Sequence, residues 1–265
     1  MDMPMLATLL AQATREPGAG PWYIETDMDQ WIVEPFNAAS AALFLLVAAY
    51  WLLVRLRGRY REYPFLTACL PLVLIGGVGG TVYHAFRGHR VWLFMDWMPI
   101  ALLCFAVGIY LWSKLLRRWW YALIIVPVVF GIQMVSFPFF RARDQIQVAI
   151  AISYSLLGAV ILVPAVAVLV ETRWRFGRWP LAALLLFGAA VGSRQLDAYA
   201  VATGRTWMTR WLPMGSHFLW HVFGAAAGHC VAEYLYRLPQ VEHLLPSRAR
   251  RRQSVPVPDL PSESA

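Results

Sequence analysis

The sequence predicts an all-α membrane protein: a seven-transmembrane-helix bundle with the N-terminus outside and the C-terminus cytoplasmic. Three observations carry this prediction. Of 265 residues, 59% are hydrophobic and only 14% are charged, about half the charged share of a soluble domain. The apolar residues gather into seven runs, each able to cross about 30 Å of hydrocarbon at about 1.5 Å per residue. The charges sit in short loops between the runs, with Trp119, Trp120, Tyr121, Trp174 and Trp179 beside them as an interfacial aromatic belt.

In chain order, an acidic extramembrane segment (1–35) precedes the first run. The runs are 36–56, 64–84, 91–113, 119–138, 146–170, 179–200 and 214–236, joined by short connections. They form one domain, 36–238. From Pro239 to residue 265 the chain is rich in Pro, Ser and Arg and is expected to be a disordered basic cytoplasmic tail. The first 35 residues lack a basic start followed by an apolar core, so the first membrane helix is expected to drive insertion. Cys69, Cys104 and Cys230 lie within apolar runs and form no CxxC; they read as buried, inert residues.

Orientation follows from Lys and Arg. Fifteen of the 23 fall on one side: Arg55, Arg57, Arg59, Arg61, Lys114, Arg117, Arg118, Arg173, Arg175, Arg178, Arg237, Arg248, Arg250, Arg251 and Arg252. Seven fall on the other: Arg15, Arg87, Arg90, Arg141, Arg143, Arg205 and Arg210. Positive loops stay inside. The net charge of +8 is therefore a topology signal and not a nucleic-acid patch. Glycine pairs four apart (Gly76 and Gly80, Gly188 and Gly192, Gly224 and Gly228) suggest that the second, sixth and seventh helices touch.

Ionisable groups inside membrane spans are costly and mark function. With this topology His84, Asp96, Arg194, Asp197, His217 and His221 all fall in the outer third of the bilayer. His217 and His221, four apart, face the same way on one helix. His84 can add a third nitrogen. Three protein ligands with an open fourth position is the catalytic zinc arrangement, and Asp96 is then the candidate general base. His229, Arg194 with Asp197, and Glu233 take structural readings: a packed histidine, an i,i+3 ion pair, and a carboxylate snorkelling to the inner interface. His89 falls in a loop. Upstream, Glu25, Asp27, Asp29, Glu34 and Asn37 read equally as hard oxygen ligands for calcium or as a solvated acidic strip.

Glu34-x-x-Asn37-x-x-Ser40, Tyr83-His84, Asp96 with Met98-Pro99, and His217-x-x-x-His221 enclosing Trp220 together resemble the alkaline ceramidases. That family belongs to a superfamily of seven-helix membrane hydrolases that includes the adiponectin-type receptors. The resemblance implies a zinc-dependent amidase cutting ceramide into a sphingoid base and a fatty acid. It maps zinc to His84, His217 and His221, places Asp96 beside the activated water, and implies calcium in the acidic segment at Glu34. Gly80 stands where the family has a serine; Thr81 points elsewhere on the helix, and Ser216 and Ser193 are the candidate substitutes. The expected partner is a lipid substrate drawn from the bilayer. The competing reading is a non-catalytic receptor or lipid-binding protein with structural zinc. A retinal protein is excluded because Lys114, at a helix end, is the only lysine. A haem grip is excluded because His217 and His221 share one helix face.

Overall fold

The computed structural model describes residues 20–116, 118–143, 145–204 and 210–245. Arg15, Arg117, Arg205, Arg248, Arg250, Arg251 and Arg252, used above for orientation, lie outside these, as does the tail from 246 onward. The described chain is helical, with no strand among the described residues. Six helices are long and apolar enough to cross a membrane: α1 (Pro35–Arg55), α2 (Pro64–Phe86), α3 (Arg90–Leu115), α4 (Trp119–Arg141), α5 (Ile146–Glu171) and α6 (Arg178–Thr203). The protein therefore has the character of a multi-pass membrane protein. A further helix, α7 (His217–Arg237), has 21 residues and carries two histidines of the candidate site.

Local chemistry sets the helix ends. Pro35 and Pro64 open α1 and α2, where a missing N–H leaves no intrahelical bond unmade. The last turn of α1, Trp51–Arg55, widens into a π-helix. α4 begins as a 3₁₀ turn over Trp119–Ile124. α7 starts at His217, three residues later than the apolar run, because Gly215 ahead of it takes φ +73° and turns the chain.

Packing arranges α1, α2, α3, α5, α6 and α7 as a ring in which α7 returns to α1, while α4 lies outside against α3 and α5. α4 is accordingly the least buried helix, with Ile124, Val128, Phe130, Met134 and Val135 all exposed. Of the expected contacts among α2, α6 and α7, only that of α6 with α7 is extensive, and α2 packs mainly against α3 and α1. At Gly79 a Cβ would stand 2.5 Å from the Met95 carbonyl carbon, so α2 and α3 pack backbone to backbone there. α6 and α7 also pack closely, but Gly188, Gly192 and Gly228 face open space.

The ring has two unlike ends. One is an apolar core of Trp51, Leu56, Leu70, Leu111, Val168 and Tyr234, closed by Leu238, Val241 and Leu245. This corrects the tail boundary: residues 239–245 are packed as 3₁₀ turns, and Lys114 reaches Glu242 at 2.6 Å. Their apolar side chains anchor a segment whose overall composition suggested disorder. Glu233 is also corrected. It is buried and ion-paired to Arg55 and Arg237 and does not snorkel, because two neighbouring guanidinium groups supply the charge it would otherwise seek at the interface. The other end is polar and is roofed by residues 20–34.

Candidate metal centre

His84 lies in the last turn of α2, and His217 and His221 occupy the first two turns of α7. The three are buried, and their candidate ligand atoms lie within 4.8 Å of one another. Each keeps a buried ring nitrogen without a hydrogen-bond partner: Nε2 of His84, Nδ1 of His217 and Nε2 of His221. Buried polar atoms are ordinarily satisfied, so three orphans in one place suit a cation.

The hydrogen-bond network assigns two of the tautomers. His84 Nδ1 lies 2.5 Å from Glu34 Oε2. A carboxylate accepts, so Nδ1 carries the hydrogen and the Nε2 lone pair is free. Ser40 Oγ donates to the Asn37 carbonyl at 3.0 Å and lies 2.9 Å from His221 Nδ1. Its single hydrogen is thus spent, so it accepts from His221 Nδ1–H, again freeing Nε2. A metal-binding histidine typically has its second nitrogen held in this way. His217 is held differently, its ring stacked on Tyr23 at 3.7 Å between centroids. The donor set, three neutral imidazoles with two anchored, fits a borderline-soft ion such as zinc.

Glu34 is fully buried and has four partners. Besides His84 it accepts from Thr26 Oγ1 at 2.5 Å, from Asn37 Nδ2 at 3.3 Å, and from Arg87 Nη1. Arg87 follows α2 with φ 47°, a left-handed conformation rare for a bulky residue. That turn brings its guanidinium back over the site, where Nη2 donates to the Pro21 carbonyl at 2.9 Å. Burial pushes the Glu34 carboxyl up, but the His84 hydrogen bond, the Arg87 charge and the Thr26 hydroxyl outweigh it and hold it below its ordinary value.

The expected oxygen ligands do not gather. Glu25 accepts from the backbone N–H groups of Phe36 and Asn37, capping α1; burial raises its pKa against those bonds. Asp27 holds its own turn through Asp29 N and Gln30 Nε2. Asp29 is exposed, and Glu34 faces His84 and Arg87. Among the described residues the only His, Cys, Asp and Glu group able to hold a metal is the histidine triad.

Asp96, half-buried on α3, lies against Gly80. A Cβ at Gly80 would stand 2.5 Å from Asp96 Oδ1 and 3.2 Å from the Ala41 Cβ. The missing side chain therefore makes room for this carboxylate. Neither candidate substitute, Ser193 nor Ser216, turns its hydroxyl to that place, and Thr81 is engaged with its own helix. Thr81 Oγ1 donates to Gly77 O at 2.7 Å, Ser193 Oγ to Ala189 O at 2.8 Å, and Ser216 Oγ to Ser193 O at 2.7 Å.

Asp197 and Arg194 do not form the expected ion pair. Asp197 Oδ1 accepts from Ser216 N at 2.8 Å and His217 N at 3.3 Å, and Oδ2 from Ile24 N at 3.2 Å. It caps α7 and ties down the roof. Gly215 makes this possible, since a Cβ there would stand 2.3 Å from Asp197 Oδ1. Arg194 turns instead toward Tyr154 on α5, its guanidinium carbon 5.1 Å from the ring centre. His229 packs among Tyr50, Trp51 and Trp179 at the apolar end, as its structural reading expected. His89 caps α3 by accepting from Val91 N. The three cysteines are free.

No family model, no curated protein and no solved structure matches this chain. The site therefore has to be read from its own geometry. That geometry adds Tyr23, Thr26 and Arg87, which the sequence did not single out. Arg87 lies three residues after His84, but it follows the helix in a left-handed turn, so helical spacing alone does not place its guanidinium over the site.

Proposed function

We propose that this chain is a zinc-dependent membrane hydrolase of lipid amides, acting on a ceramide-like substrate to give a sphingoid base and a fatty acid. The observation that carries the reading is the trio of orphaned imidazole nitrogens at one end of a helical ring, with the Asp96 carboxylate against Gly80, one turn before His84. In this reading α7 also crosses the membrane, giving seven spans, with the N-terminus outside and the C-terminus cytoplasmic. His84, His217 and His221 would hold the zinc ion, which would supply Lewis-acid polarisation of a carbonyl and a bound water of lowered pKa. Glu34 and Ser40 fix the ring orientations, and Tyr23 shields His217. Asp96 takes a proton from the attacking water and delivers it to the amide nitrogen. The C–N bond breaks, water supplies the new C–O bond, and the products are a carboxylate and an amine. The acyl chains lie between helices, reached from the lipid.

The competing reading, a lipid-binding protein with structural zinc, gains support from the lack of a hydroxyl at Gly80. Purified protein incubated with ceramides separates the two. Fatty acid release, lost in Asp96→Asn while zinc content is kept, supports the hydrolase. Retained zinc with no release from the wild type rejects it.

A further inference from the structure

The most anomalous charge in the molecule is Arg194. It sits inside α6, two turns or more from either end, and only 4% of its surface is exposed. A guanidinium there is held against a desolvation penalty of several kcal/mol unless an anion compensates it. The other buried arginine, Arg87, has its carboxylate in Glu34, and the half-buried Arg55 and Arg237 share Glu233. Arg194 has no salt bridge among the described residues. Nη1 is buried without a hydrogen-bond partner, and Asp197, its neighbour three residues along, is committed to the α7 cap. The guanidinium is held over the Tyr154 ring, close enough to act electrostatically on Asp96, Tyr23 and His217. A buried, unpaired donor thus lies over Tyr154, whose ring packs on Trp220, the residue before His221.

We infer that Arg194 is the anion anchor of the site and binds the carboxylate of a long-chain fatty acid. The inference deepens the amide-hydrolase reading and rests on it for the identity of the acid, which is the product of that reaction. The ligand is a monoanion with an apolar tail. A guanidinium matches a carboxylate with two parallel N–H donors, and the neighbouring surface is the aromatic Tyr154 with Trp220 edge-on to it at 4.6 Å. The same donor meets negative charge developing on the amide carbonyl oxygen before the product forms. It thereby supplies from α6 the stabilisation that a hydroxyl at position 80 would have given.

The test measures calorimetric binding of oleate, and of oleyl alcohol as the uncharged control, to detergent-purified full-length protein. The protein is zinc-loaded or chelator-stripped, with wild type compared with Arg194→Gln and Arg194→Lys. Oleate is expected to bind at least about tenfold more tightly than the alcohol, as one charge-assisted contact of this kind provides. That preference is expected to survive zinc removal and to be lost in Arg194→Gln at unchanged zinc content, with Arg194→Lys between. Equal binding of acid and alcohol to the wild type overturns the inference. So does a preference that vanishes with zinc and is untouched by Arg194→Gln. If Arg194→Gln does not fold, the stripped wild type decides alone. Absence of ceramide cleavage with the oleate preference intact rejects the hydrolase reading and leaves the anchor standing.

Discussion

Ser40 and Glu34 perform the same service for two histidines, yet their removal should read differently. Ser40 touches only His221 and the Asn37 carbonyl. Ser40→Ala is expected to weaken zinc binding about 10- to 100-fold in a chelator competition, with little loss of thermal stability. Glu34 also neutralises Arg87 in a fully buried pair. Glu34→Gln leaves that guanidinium uncompensated, which destabilises by about 3–5 kcal/mol. It should therefore lower the melting temperature and the zinc content together. Gly80 gives a third test. Gly80→Ser forces Asp96 or Ala41 aside, and overpacking of this kind costs about 1–3 kcal/mol. A melting temperature equal to wild type in Gly80→Ser would show that the Asp96 carboxylate has room to spare. At this scale the triad was legible because helical spacing and membrane depth fix where His84, His217 and His221 fall. The partners of Glu34 were not. Thr26 and Tyr23 belong to an irregular segment with no period to read, and the turn at Arg87 requires a left-handed residue that sequence does not announce.

The start of α7 shows how one helix positions another. Three separate backbone N–H groups, from Ile24, Ser216 and His217, converge on Asp197. Reading Asp197 and Arg194 as an i,i+3 pair rested on an interaction worth about 0.2–0.5 kcal/mol in an isolated helix. Buried amides at a helix start have no intrahelical partner, and satisfying them is worth about 0.5–2 kcal/mol for one cap alone. The stronger demand took the carboxylate. Asp197→Ala is expected to fray the first turn of α7 and to loosen His217. Hydrogen exchange at residues 216–218 should rise, and zinc affinity should fall although Asp197 touches no histidine ring. Unchanged exchange there would assign the capping role elsewhere. Helix existence and most boundaries were legible from apolar runs. The late start of α7 was not, because Gly215 and a carboxylate from another helix set it.

For the whole molecule, the ring explains why hydropathy treats α7 differently from the other six helices. α7 carries His217, His221, His229, Glu233 and Arg237, yet it sits between α6 and α1 with its ionisable groups turned inward. Glu233 is matched by Arg55 and Arg237, and the first two histidines face the site. Lipid therefore meets little of this polarity, and 21 residues span about 32 Å at about 1.5 Å each. If α7 crosses, residues 20–34 and the packed turns at 238–245 lie on opposite sides of the membrane. The α1–α2 loop then lies with the latter. Trp31 is 81% exposed on the roof, and Arg57 is exposed on the α1–α2 loop. The native thiols lie within helices, Cys69 half-buried and the other two buried, so background labelling should be low. In intact cells an impermeant maleimide is expected to modify Trp31→Cys directly and Arg57→Cys only after permeabilisation. His243→Cys, exposed at the packed end, should behave as Arg57→Cys does. A 243 thiol labelled from the same side as the 31 thiol would mean an even number of crossings, and α7 would then have to lie within the membrane without traversing it.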